Sequence, residues 1–202
     1  MIRRFVAVCG VAALGVAALA GCVQLEVAYL NATDTIEFEA DGGDLLVNGT
    51  LNSRSLVAFE QAMADHPNVT RLVLLEIPGS VDDEVNLQLG HRVRDLGLDT
   101  HVTAESEIHS GGSDLFLAGV QRSMENGAVI GVHSWAVGNL QGRDLPKSDP
   151  EHAGYVSYTK RMLGSDAFYW FTLEAAPVQE THVMSAAEIE KYGLLTQPVV
   201  RN

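Results

Sequence analysis

Ser110 lies in the stretch IHSGGSDLFLAG, where a polar segment gives way to an apolar run, and Gly111 and Gly112 follow it directly. A serine at a strand-to-helix junction presents its hydroxyl. The free N–H groups of the first helical turn, that of Gly111 among them, can then hold a developing oxyanion. The two glycines keep side chains out of the path of an approaching carbonyl. The same residues equally describe an N-cap serine with a tight glycine turn, and Ser113-Asp114 offers another cap for the same helix. Taken alone, the segment leaves these readings open. His133 closes the apolar run AVIGVH. A neutral imidazole emerging at that strand end, near the helix of Ser110, is a general base for its hydroxyl. His109, beside Ser110, is a second proton carrier or a polar rim residue.

Other chemistries find less support. His101, His109 and His133 show no HExxH and no clustered ligand spacing, so no metal is expected. Walker and dinucleotide glycine patterns are absent, so no nucleotide cofactor is expected either.

The elements that must position these residues are read from periodicity. Residues 35–40 alternate, and residues 44–51 follow after Asp41-Gly42-Gly43, a pattern for two short strands. A helix is expected over 53–66 with Ser53 or Ser55 as cap. The apolar run 69–77 reads as a strand buried on both faces. Residues 82–98 form an amphipathic helix with acids in its first turn and Gly97 near its end. A short strand over 99–104, a short apolar helix over 111–122 and a buried strand over 127–135 come next. A polar loop over 139–154 leads into a helix at 151–164, and the chain ends in a short helix and a closing strand within 184–200. Strands alternating with helices imply one α/β domain, placed at 34–202.

The first residues are set apart from that domain. Arg3 and Arg4 precede an apolar run through Ala20, the charged and hydrophobic regions of a secretory signal. The run closes on Leu19-Ala20-Gly21-Cys22, which looks like a bacterial lipobox. Residues 1–21 are therefore expected to be a lipoprotein signal peptide, and 22–33 a lipidated tether holding the protein to a membrane through Cys22. With Cys9 inside the signal, Cys22 has no disulfide partner. Val23 is not the aspartate associated with inner-membrane retention, so the periplasmic face of the outer membrane is the expected location. Loss of Arg3 and Arg4 takes the net charge from −13 to −15. Such a surface repels nucleic acid.

Four segments in order, PGSVDDEVNLQLGHRVRDLGLDT, IHSGGSDLFLAG, GAVIGVHSW and MSAAEIEKYGLL, resemble the Clp protease/crotonase superfamily, most closely its secreted Clp-like branch. The likeness covers about residues 34–198. It implies a single-domain spiral of ββα units and a peptidase-type serine hydrolase, with Ser110 at the nucleophile's position and His133 at the base's. It also implies an oxyanion turn at Gly79-Ser80 acting with Gly111, and a peptide or protein substrate bound as an added strand. A homo-oligomer is compatible with it.

Three departures stand out. The family's NSPGGS reads EIPGSV here, so Ser80 replaces a glycine and Glu76 an asparagine. Ile108-His109 stand where many relatives carry a Cys and a small residue. No aspartate precedes the last helix, which leaves Glu180, or else Glu174, as the third member, a Ser-His dyad, or an inactive fold acting as a binding module. Crotonase-type acyl-CoA chemistry is disfavoured, because CoA is scarce outside the cytoplasm and no basic patch awaits its phosphates.

Overall fold

A computed structural model describes residues 36–200. The expected signal peptide and tether, with Cys22, lie outside the described residues. Glu37–Asp41 (β1) and Asp44–Asn48 (β2) form the expected antiparallel hairpin. Ser55–Asp65 (α1) follows. Neither Ser53 nor Ser55 opens it as a side-chain N-cap. Asn52 organises the turn instead: its Oδ1 accepts from the Arg54 N–H at 2.9 Å, and its own N–H donates to Ser55 Oγ at 2.7 Å. Arg71–Ile77 (β3) then runs parallel to β2, with Leu72, Leu74 and Ile77 fully buried.

Asp83–Asp95 (α2) begins at Asp82, whose carboxylate accepts from the Val85 N–H at 3.2 Å. Acids at 83 and 84 and arginines at 92 and 94 follow the helix dipole. Asp99–His109 (β4) is longer than the strand expected at 99–104. The extension is stabilised by Ser106, a buried serine whose hydroxyl donates to the Leu74 carbonyl at 2.6 Å. Gly111–Leu117 (α3) is correspondingly shorter than expected. Side chains claim the carbonyls at its end: Arg94 donates to those of Leu117, Ala118 and Gly119, and Thr100 Oγ1 to that of Phe116. The chain then turns into Arg122–Met124 (β5), a strand the apolar pattern did not reveal, and Val129–Val132 (β6).

Ala136–Val137 (β7) and Leu140–Gln141 (β8) make a small hairpin that leads into the polar loop. Ala153–Leu163 (α4), Ala167–Ala175 (α5), His182–Val183 (β9) and Ala186–Lys191 (α6) complete the chain. The expected closing strand is reduced to one bridge between Val200 and Glu125.

The main sheet has the order β1-β2-β3-β4-β6-β9, with β5 also paired to β4. β2, β3, β4 and β6 are parallel, and β1 and β9 run antiparallel at the two ends. Thus β4 pairs with β5 along Thr100–Val102 and with β6 along Glu107–His109. Register sets Ile77, Ile108 and Ile130 side by side across β3, β4 and β6. All three are buried, each contributing about 1.5–3 kcal/mol of burial. This row anchors three strand ends at one edge of the sheet, where parallel α/β sheets carry their sites.

Candidate active site

Two residues beyond that row stand Gly79, Ser110 and Val132, with His133 next. Ser110 has φ 50° and ψ −118°, and among the described residues it is the only non-glycine at positive φ. This conformation costs about 1–3 kcal/mol and persists only where the surroundings impose it. Here the Ser110 N–H donates to the Gly131 carbonyl at 2.9 Å, and the Ser110 carbonyl accepts from the N–H groups of Ser113 and Asp114 at 2.8 and 3.2 Å. Ser110 thus sits at the N-cap position of α3, yet its side chain makes no capping hydrogen bond. Ser113 is inside the helix and spends its hydroxyl on the Gly131 carbonyl at 2.9 Å. The Ser110 hydroxyl is displayed by a sharp strand-to-helix turn, as nucleophilic serines are.

The positive φ of the preceding turn falls on Gly79, at 149°, and Ser80 takes no such conformation. Replacing the family's second glycine by Ser80 therefore introduces no backbone strain. A Cβ on Gly79 would stand 3.3 Å from Ser110 Cβ, so the turn lies directly against the serine. On Gly111 a Cβ would come within 2.5 Å of Ser80 Cβ and 2.8 Å of Asn86 Nδ2, which makes glycine obligatory there. Asn86 Nδ2 donates to the Gly111 carbonyl at 2.9 Å and fixes that peptide. Among the described residues the N–H groups of Gly79, Ser80 and Gly111 enter no hydrogen bond. Three uncommitted donors beside a displayed hydroxyl are the makings of an oxyanion hole.

His133 and Ser110 line one cavity and are not hydrogen-bonded to each other. His133 Nδ1 lies 2.8 Å from the Ser134 carbonyl oxygen. A carbonyl only accepts, so Nδ1 carries the proton and Nε2 is left as the basic nitrogen. The next residues are braced: the Ser134 N–H donates to the Ala176 carbonyl, and the Arg143 N–H to Ser134 Oγ. Neither glutamate proposed as a third member hydrogen-bonds or ion-pairs with His133. Glu180 is exposed, and Glu174 is exposed and faces Lys147 at 3.9 Å. The imidazole is oriented by a main-chain carbonyl rather than by a carboxylate. His109 turns away from the cavity, its Nε2 lying 2.8 Å from Glu107 Oε1.

Sequence reasoning missed the rest of the cavity. It measures about 30 Å³ and is also lined by Asp83, Asp114, Trp135, Tyr155 and Tyr169. Tyr155 stacks on both Trp135 and Tyr169, at ring separations of 5.7 and 5.3 Å and angles of 6° and 5°. Its hydroxyl donates to Asp83 Oδ2 at 2.5 Å. Trp135 Nε1–H donates to the Tyr169 hydroxyl at 2.9 Å, which lies 2.6 Å from Nδ1 of the buried His152. Part of Asp114 remains solvent-accessible. Protein nevertheless crowds its carboxyl, and this burial, reinforced by the charge of Asp83, pushes it up to about 8. Burial also raises both tyrosines, Tyr169 to about 12. An acid in the apolar helix GGSDLFLAG was the available signal, read above only as a cap.

No protein-family model matches the sequence, and no curated protein matches it. Solved structures do resemble the fold. An enoyl-CoA hydratase/isomerase family member is 18% identical, with 84% of this chain and 71% of that one covered at a TM-score of 0.54. Pseudomonas aeruginosa DspI is 17% identical over 84% and 75%, at 0.53. An enoyl-CoA hydratase from Shewanella pealeana is 11% identical over 88% and 72%, at 0.50. The chain shares the mixed α/β fold of these solved structures. Fold alone assigns no chemistry.

Proposed function

We propose that this chain is a membrane-anchored, extracytoplasmic serine hydrolase of Clp-like type, acting on peptide bonds and held at the periplasmic face of the envelope through Cys22. Ser110 Oγ attacks the scissile carbonyl carbon while its proton passes to His133 Nε2. The N–H groups of Gly79, Ser80 and Gly111 hold the oxyanion. Collapse breaks the C–N bond, and the amine leaves with the proton from His133. Water, deprotonated by the same nitrogen, then releases the acyl group from Ser110 and restores the serine. The observation that carries this reading is Ser110 itself: a serine kept at positive φ, uncapped, beside three unspent donors. A fluorophosphonate probe is expected to label the wild type and not Ser110→Ala; equal labelling of both overturns the assignment.

A binding module on the same fold is favoured by one observation, the absence of any hydrogen bond between Ser110 and His133 or of a carboxylate on the imidazole. That reading predicts no labelling at all, and a cellular phenotype unchanged by Ser110→Ala and His133→Ala.

A further inference from the structure

The cavity beside Ser110 joins two features that favour the same kind of ligand. Its carboxyls are those of Asp83 and Asp114. The Tyr155 hydroxyl occupies Asp83, whereas the Asp114 side chain enters no hydrogen bond or ion pair among the described residues. Its aromatic lining comes from the Trp135–Tyr155–Tyr169 stack. Carboxylates and ring faces both attract cations, and the lining contains no lysine or arginine to supply one. Asp114 holds a proton at neutral pH, which an entering ammonium displaces to solvent, leaving the carboxylate as its partner.

Size narrows the choice. About 30 Å³ admits one or two water-sized groups, which suits an ammonium and excludes a planar guanidinium. Asp114 is also one turn from Ser110, its N–H donating to the Ser110 carbonyl at 3.2 Å. A cation held at Asp114 is therefore only a few bonds from a carbonyl at the serine.

We propose that this cavity receives a primary ammonium group of the substrate's acyl part, with Asp114 as the residue that selects it. The α-ammonium of an N-terminal residue is the source that the cavity's size favours. The rest of such a peptide runs along the adjoining groove of about 570 Å³, which shares Asp83, Trp135 and Tyr155 with the cavity and is also lined by Ser80, Glu84 and Glu151. As a statement about substrate, this rests on the hydrolase reading. As a statement about binding, it does not.

The test is an NMR titration at pH 7 that follows the Trp135 indole N–H. Glycinamide, a cation at that pH, is expected to shift the signal to saturation, and uncharged N-acetylglycinamide to leave it in place. n-Butylammonium carries the same charge on a longer chain. Weaker binding than glycinamide supports the α-ammonium as the source, and equal binding supports a side-chain ammonium in the same cavity. Asp114→Asn is expected to weaken glycinamide at least about tenfold. Equal responses to glycinamide and its acetylated form overturn the proposal without any variant, as does an unchanged affinity in a folded Asp114→Asn. Fluorophosphonate labelling of the same samples separates the two claims. Labelling without glycinamide binding overturns the cation site alone, and binding without labelling overturns the nucleophile alone.

Discussion

Replacing Asp114 by asparagine should change how the stability of this protein depends on pH. The carboxyl gives up its proton near pH 3.8 in the unfolded chain and near pH 8 in the fold, because burial and the neighbouring Asp83 disfavour its charge. Between those values the folded state holds a proton that the unfolded state has released, so raising the pH favours unfolding. The stability associated with this group is whole below about pH 4 and lost as pH rises through 8. At 1.36 kcal/mol per unit the shift amounts to at most roughly 6 kcal/mol. Partial solvent access trims that to about 3–5 kcal/mol. Asparagine keeps the shape and cannot ionise, so wild type and Asp114→Asn should agree near pH 4.5 and diverge steadily, the variant becoming the more stable by pH 9. In urea titrations followed by tryptophan fluorescence, the midpoints should separate by roughly 2 M at pH 9. A separation that stays constant from pH 4.5 to 9 refutes the argument, since it means that the Asp114 carboxyl carries the same charge in both states.

Two further outcomes follow from the geometry. Ser110→Gly should raise stability by about 1–2 kcal/mol in the same urea assay at fixed pH, because glycine occupies φ 50° without penalty, and it should abolish fluorophosphonate labelling. Ser110→Ala, which retains the Cβ, should lose labelling without that gain. Glu180→Ala and Glu174→Ala should each label within about twofold of wild type, whereas His133→Gln should cut the labelling rate by at least about a hundredfold. A large loss in either glutamate variant would return a carboxylate to the role assigned to the Ser134 carbonyl.

Much of the framework was legible because the parallel strands are apolar runs of strand length bounded by breakers. Residues 69–77 and 127–135 could be placed on buried strands, and the positions of Ser110 and His133 at strand ends followed. The second half of β4 was not legible, because Glu105, Ser106 and Glu107 are polar and the ladder that resumes at Glu107 pairs it with residues of β3 and β6 more than twenty positions away. β5 was hidden by the apolar run of α3, which Arg94 and Thr100 cut short. The partner of His133 could not be read from residue types at all, since every residue carries a carbonyl and only the backbone path selects that of Ser134. The aromatic stack unites residues from the segment after β6, from α4 and from α5, and no periodicity links them. Asp114 carried a signal that sequence reasoning undervalued: an acid facing an apolar helix must be capping, paired or waiting for something.

The Gly131 carbonyl ties these parts into one mechanical unit. It receives the Ser110 N–H and the Ser113 hydroxyl, each at 2.9 Å, and stands in β6 two residues before His133, which directly follows that strand. Serine and imidazole are thereby fastened to a common beam, so thermal drift of β6 carries both and leaves their separation nearly constant. On the hydrolase reading, attack geometry tolerates errors of about 1 Å poorly, and this coupling would protect it without a side-chain bridge. The third position is then free to vary. A nucleophile and base that share one anchor can, on that reading, exchange a carboxylate for a carbonyl without losing their common support.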